Sequence, residues 1–156
     1  MTSVYTVRRA LWQDAPALLA LMRELARFEG YLDQFRVNEN DLLERGLGEG
    51  STRQFVAFVA ESGSGALPGY AVVHTIAFTY DLRPTLVLKE LYVDGAARGL
   101  GIGHALMAAV MAEGKAQGCA RLKWDVLPGN LRAQAFYRSI KGAPDTQWQG
   151  WIRKLE

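Results

Sequence analysis

An α/β fold, a mixed central sheet with helices on both faces, is predicted by three features of this 156-residue sequence. Hairpin-like apolar segments fill its middle third, and a strand–helix–strand–helix run follows them. Hairpins ahead of such a run give antiparallel strands joined to a parallel crossover. The third feature is size: the length suits one domain with one core, so residues 1–156 are read as a single domain. The balance of 49% hydrophobic and 22% charged residues is that of an ordinary globular protein.

The elements follow in order. Val4 to Arg8 alternates as a first strand. Asp14 and Pro16 are helix start signals, and Leu18, Leu21, Met22, Leu25 and Phe28 recur at helical spacing until Gly30 ends the pattern. Asn38 caps a second, short helix carrying Leu42, Leu43 and Leu47, which stops in the run Gly46 to Gly50. Gln54 to Glu61, Tyr70 to Tyr80 and Leu86 to Val93 read as strands, with turns at Gly63-Ser64-Gly65 and Asp81 to Pro84. A long helix from Ile102 to Gln117 is expected to bury Ile102, Ala105, Leu106, Ala109 and Ala116, and Gly118 closes it. Arg121 to Leu127 is then a strand, Leu131 to Ser139 a helix and Trp148 to Leu155 a final strand. No repeat, linker or low-complexity tract interrupts the order.

Composition narrows the function. A net charge of +2, with Lys and Arg scattered, gives no basic stripe interleaved with aromatics, so nucleic acid is not expected as a partner. The lone Cys119 reads as a small buried hydrophobe in a reducing compartment. His74 and His104 are far apart, so no metal site is expected. No run of 18 apolar residues is present and the opening MTSVYTVRRALWQD has no secretory pattern, so no membrane partner and a cytoplasmic location are expected.

The most informative segment joins the strand ending at Val93 to the helix beginning near Ile102, with glycines at 99, 101 and 103. Successive backbone N–H groups in such a turn form a concave nest for an anion, and the helix N-terminus adds partial positive charge. Glycine admits a phosphate closely, and Arg98 contributes a permanent cation. A nucleotide P-loop would require Lys then Ser or Thr after the last glycine, but His104 and Ala105 stand there. The Rossmann spacing fails because Leu106 holds the third glycine's place. A plain turn with helix-packing glycines is the alternative for the loop taken by itself.

Arg98-x-x-Gly101-x-Gly103 resembles the pyrophosphate signature of the GNAT acetyltransferases, and Asn130, Ala133, Phe136 and Tyr137 match their second signature, Asn-x-x-Ala-x-x-Phe-Tyr. The resemblance covers essentially the whole chain and implies the GNAT fold, with acetyl-coenzyme A as co-substrate and no metal. Within that superfamily, Glu24-Leu25-Ala26-Arg27-Phe28-Glu29, Asn40 to Glu44 and Phe78-Thr79-Tyr80-Asp81 resemble the diamine/polyamine and thialysine acetyltransferase group. It implies transfer of acetyl to a primary amine of a small molecule, amino-acid-like or a diamine, by direct attack in a ternary complex. Acetylation of protein lysines or N-termini, and an acyl-coenzyme A sensor without turnover, are the other readings. Enzymes of this group are commonly homodimers joined through C-terminal strands, which here would use Trp148, Trp151 and Ile152.

The resemblance also implies site residues. Leu91, Tyr92, Val93, Arg98, Gly99, Leu100, Gly101, Ile102, Gly103 and His104 would hold the cofactor, with Asn130, Ala133, Phe136 and Tyr137 from the second signature. Tyr137 is the catalytic candidate as proton donor to the departing thiolate; a phenol near pKa 10 can protonate a thiolate whose acid is near 8.5. Residue chemistry by itself also allows a core aromatic there. An acceptor amine arrives as an ammonium and must lose a proton, for which Glu90 is the nearest base or water-orienting group; an ordinary solvated strand carboxylate is the other reading. Lys89 matches the position of the family's proposed base, and Gln149 replaces an acid that the polyamine enzymes carry before Gly150-Trp151. Glu29, Asp81 and Asp33 match acceptor-binding positions, while surface charge is their bland alternative. Asn130 reads as a contact to the pantetheine arm or as a helix cap. Arg132, Arg138 and Lys141 read as solvated helix charges, with contact to cofactor phosphates as the other reading, His104 as a first-turn residue and His74 as a strand residue.

Overall fold

The computed structural model describes residues 4–156, so Met1 to Ser3 of the opening stretch lie outside it. The chain up to Trp124 forms one compact unit and Asp125–Glu156 another. The first holds β1 (Tyr5–Arg9), α1 (Ala15–Glu29), α2 (Glu39–Leu42), β2 (Val56–Ser62), β3 (Gly69–Ile76), β4 (Thr85–Val93), α3 (Ile102–Ala116) and β5 (Arg121–Lys123). The strands lie in the order β1-β2-β3-β4-β5. The first four pair antiparallel and β5 joins β4 in parallel, so the mixed sheet expected from the element order is present.

Strand alternation gives the sheet two apolar faces. Ala57, Val59, Tyr70 and Val72 form a buried cluster with Leu18, Met22 and Leu25 of α1. Residues of the opposite face meet α3: a Cβ on Gly69 would lie 3.3 Å from both Ile102 and Leu106 side chains, and one on Gly114 would lie 3.4 Å from Leu86. Helices therefore cover both faces. The side of α3 that is buried consists of Ile102, Leu106, Met107, Val110 and Gly114. Of the expected set, Ala105 and Ala116 are exposed and Ala109 is only half-buried. In a helix apolar almost all round, bulk decides which side turns inward, and Met107 and Val110 offer more area than the alanines.

Helix α1 starts at Asp14, but not through an ordinary cap. The Asp14 carboxylate instead accepts from the Leu11 N–H at 2.7 Å and from the Arg8 guanidinium at 2.7 and 3.0 Å, locking β1 to the helix start. Its C-cap, Gly30, has φ 84°, the left-handed conformation glycine tolerates best. Phe28, expected on the buried face, is 57% exposed. Helix α2 has the expected Asn38 cap: Asn38 Oδ1 accepts from Asp41 N–H at 2.9 Å, and Asp41 returns a bond to Asn38 N–H at 3.0 Å. A π-helical turn, Leu43–Leu47, continues it. The turn ends where a Cβ on Gly48 would sit 2.6 Å from the Leu43 carbonyl oxygen.

The second unit contains α4, Leu131–Ser139. Three strand expectations differ from the structure. β3 stops at Ile76 rather than Tyr80 because Asp81 draws the chain into a turn, accepting from the Thr79 hydroxyl at 2.9 Å and the Arg83 N–H at 3.1 Å. β5 ends at Lys123 instead of Leu127. Trp148 to Leu155 form no strand, since among the described residues no edge pairs with them. Trp148, Trp151, Ile152 and Leu155 are exposed there. Among the described residues no helix is long and apolar enough to cross a membrane.

Candidate active site

β4 changes face partway along its length. Val73 pairs with Leu88 while its neighbour Val72 pairs with Glu90, so Lys89 is an extra residue bulged out of the ladder. Strict alternation would put Leu88 and Glu90 on one side. The bulge instead leaves Leu86 and Leu88 on the α3 side and turns Glu90 and Tyr92 to the side of Tyr70 and Val72, where α1 packs.

Glu90 thus enters a group of ionisable side chains from three segments. The wholly buried Tyr70 of β3 donates its hydroxyl to Glu90 Oε1 at 3.1 Å, and its ring lies 6.4 Å from that of Tyr92. Burial pushes the Glu90 carboxyl above its usual range, and the Glu29 charge adds to this; the Tyr70 bond and the Lys89 ammonium pull it down. Glu29, closing α1, is likewise raised by desolvation and lowered by Lys89. Tyr31, just beyond α1, is pushed up to about 12 by burial and by the charges of Glu90 and Glu29. Glu29, Lys89 and Glu90 therefore share one electrostatic neighbourhood, with Tyr31 and Tyr70. A carboxylate of raised proton affinity beside a cation can accept a proton and receive a charged acceptor.

Asp81 has other commitments. Arg121 binds it at 2.5 Å while lying over the Tyr80 ring, and Thr79 and Arg83 donate to it as well. Those partners hold its carboxyl below the ordinary value, led by the Thr79 hydroxyl. Its charge is already compensated by Arg121 of β5 and by the donors of its own turn. Asp33 is exposed, in a short 3₁₀ turn after α1.

The glycine loop is built from backbone. After Val93 the Asp94 carboxylate receives Ala96 N–H at 3.4 Å, starting a 3₁₀ turn over Gly95–Ala97. Gly99 and Gly101 both have φ 81° and open space where a Cβ would project, so conformation rather than crowding demands glycine. Gly101 is the N-cap of α3, and its carbonyl accepts the Ala105 N–H at 3.0 Å. The amides of Ile102, Gly103 and His104 precede that first intrahelical bond and point from the positive end of α3. Arg98 is fixed by its Nε bond to the Val93 carbonyl at 3.1 Å and by the Phe28 ring 5.8 Å away. Phe28 is therefore exposed with a task, as a shelf for a cation. Open space, aligned amides and an anchored guanidinium fit a pyrophosphate. Leu91, Tyr92 and Val93 form the half-buried end of β4 leading into this loop.

In the second unit Asn130 caps α4, its Oδ1 accepting the Ala133 N–H at 3.1 Å. One turn later Phe136 and Tyr137 pack edge to face at 5.4 Å, both half-buried. Sequence reasoning had not singled out Tyr31 or Tyr70. Their spacing carries no motif, and only the register of β3 on β4 brings the Tyr70 hydroxyl to Glu90. Among the described residues no three His, Cys, Asp or Glu side chains gather as metal ligands.

The chain is similar to proteins of known family. The acetyltransferase (GNAT) family matches residues 15–142. A thialysine N-epsilon-acetyltransferase of Bos taurus is 32% identical over 152 residues, covering 93% of this chain and 88% of that protein. A human spermidine/spermine N(1)-acetyltransferase-like protein 1 is 30% identical over 94% of this chain, though the match spans 22% of that longer protein. Among solved structures, an aminoglycoside N-acetyltransferase in complex with CoA superposes with a TM-score of 0.75 at 20% identity, covering 99% and 97% of the two chains. Another aminoglycoside acetyltransferase, from an uncultured soil metagenomic sample, gives 0.79 at 21%, covering 97% of each. The structural likenesses bear on the fold; the family match and the bovine relative bear on the chemistry. The chain belongs to the GNAT acetyltransferase family, and it is an acetyl-coenzyme A-dependent N-acetyltransferase.

Proposed function

We propose that the chain acetylates the primary amine of a small amino-acid-like molecule or diamine by direct attack in a ternary complex, with residues 1–156 acting as one domain. The observation that carries this reading is the half-buried Glu90, turned by the Lys89 bulge onto the α1 side with Glu29, at the end of β4 that runs into the glycine loop. Acetyl-coenzyme A supplies a thioester, an acyl group already activated toward an amine.

The protein's residues supply the rest. The amides at the start of α3 and Arg98 hold the pyrophosphate. Glu90, directly or through a water, takes the proton that an arriving ammonium must shed, and its raised proton affinity suits that task. Tyr137 gives its hydroxyl proton to the departing sulfur, a role resting on its place in the second signature. Asn130 supports the same segment by capping α4.

The acceptor follows from charge. A polyamine needs carboxylates spread along its pocket, yet Lys89 and Gln149 occupy two places where acids are expected, and Arg121 compensates Asp81. Lys89 favours an acceptor whose own carboxylate can pair with it. Thialysine, named for the bovine relative, carries such an amino-acid end. A homodimer covering the exposed Trp148, Trp151 and Ile152, and residence in the cytoplasm, complete the proposal.

The test is thiol release from acetyl-coenzyme A with a panel of amines, peptides included. Amino-acid-like amines should give the highest kcat/KM, and Tyr137→Phe should lower turnover by about 10²-fold or more without loss of cofactor binding. A highest value for spermine would overturn the acceptor argument. Cofactor binding without thiol release for any amine would turn the reading to a sensor.

A further inference from the structure

Among the described residues Tyr70 is the largest side chain with no exposed surface, and it carries a hydroxyl. Such a group normally costs stability unless it is bonded, and here it donates to Glu90 Oε1 at 3.1 Å. Phenylalanine would fill the same space in the α1-side cluster without that demand. Glu90 is only half-buried, whereas Tyr70 has no contact with solvent. Burial and the neighbouring Glu90 charge push the phenol far above its usual range, so it stays protonated and acts only as a donor. It cannot relay a proton onward. It can hold one carboxylate oxygen in place and leave the other for a proton.

We infer that Tyr70 is a positioning residue for catalysis: its buried hydroxyl fixes the Glu90 carboxylate and favours its ionised form, the form that can accept a proton. The inference rests on the assignment of Glu90 in the proposed function. The charged and titratable groups around Glu90 are Lys89 on β4, Tyr70 on β3, Glu29 at the end of α1 and Tyr31 beyond it. Of these, Tyr70 has a direct hydrogen bond to it.

The experiment compares kcat/KM against pH for wild type, Tyr70→Phe and Glu90→Gln with one amine, whose own titration is common to all three. Removing a bond that stabilises the carboxylate raises its proton affinity. The acid limb of Tyr70→Phe should therefore move up by about one pH unit, the effect of one lost hydrogen bond to a charged group. Activity below the limb should fall about tenfold and recover at higher pH. An unmoved limb in folded Tyr70→Phe, with Glu90→Gln inactive, would overturn the positioning role alone. Wild-type activity in Glu90→Gln would overturn the assignment of Glu90 itself. Should Tyr70→Phe not fold, NMR of the wild-type protein decides. A slowly exchanging Tyr70 hydroxyl proton whose shift follows the acid limb supports the inference, and one insensitive to pH through that limb overturns it.

Discussion

The two halves of β4 are separated by one residue and serve opposite ends. Ahead of Lys89, Leu86 and Leu88 are 1% and 4% exposed and belong to the core beneath α3. Beyond it, Glu90, Leu91, Tyr92 and Val93 are all half-buried and lead to the glycine loop. One half contributes apolar burial; the other holds an ionisable carboxyl where its charged form is disfavoured. A single inserted residue lets a core strand become the wall of a site without a separate element.

Deleting Lys89 attacks the comparison most directly. With alternation restored, one half of β4 must face the wrong side, either placing Glu90 against α3 or turning Leu86 and Leu88 away from it. The expected result is loss of stable folding, or a folded protein without turnover; denaturant unfolding and thiol release check it. A deletion variant with native stability and activity would show that the bulge does not set the faces.

Leu86→Ala probes the core half alone. Removing a leucine that is 1% exposed should cost about 2–5 kcal/mol in urea unfolding, while the protein still folded keeps its kcat.

Glu90→Gln probes the site half and should have the smallest effect on stability. A raised folded pKa means that the carboxyl stabilises the fold below its unfolded value, about 4.3, and that this contribution is lost as pH rises through the folded value. Above the folded value the ionised group is a cost that glutamine removes. The variant should thus unfold at equal or higher urea concentration at pH 7 while losing turnover; a lower midpoint would place Glu90 among the stabilising residues.

Much of the glycine loop was legible because its work is done by backbone. Glycines at 99 and 101 announce left-handed φ, and Arg98 stands beside them. The order and number of elements through α4 were legible for the same reason, since caps such as Asn38 and breakers such as Gly30 are local. Glu29, Lys89 and Glu90 were named from the resemblance, but the tyrosines that join them, Tyr31 and Tyr70, were not. Glu29, Glu90 and Tyr70 are far apart in sequence, and their meeting depends on a register shift with no residue signature at Lys89. Phe28 fits the helical apolar pattern yet serves Arg98 from outside the core, because periodicity registers apolarity and not what covers it. The stretch from Trp148 to Leu155 looks like a strand by composition, but a strand needs a partner edge and its own residues cannot name one.

The placement of the tryptophans has a spectroscopic consequence. Trp12, Trp148 and Trp151 are 58%, 79% and 90% exposed, and Trp124, the fourth, is half-buried. Indole emission from this chain is that of largely hydrated rings, so melting the core will change its colour little. Covering residues 148–155, by a second copy or by anything else, would desolvate two indoles at once and shift the emission to the blue. Intrinsic fluorescence is therefore a weak gauge of unfolding in this protein and a direct one of association.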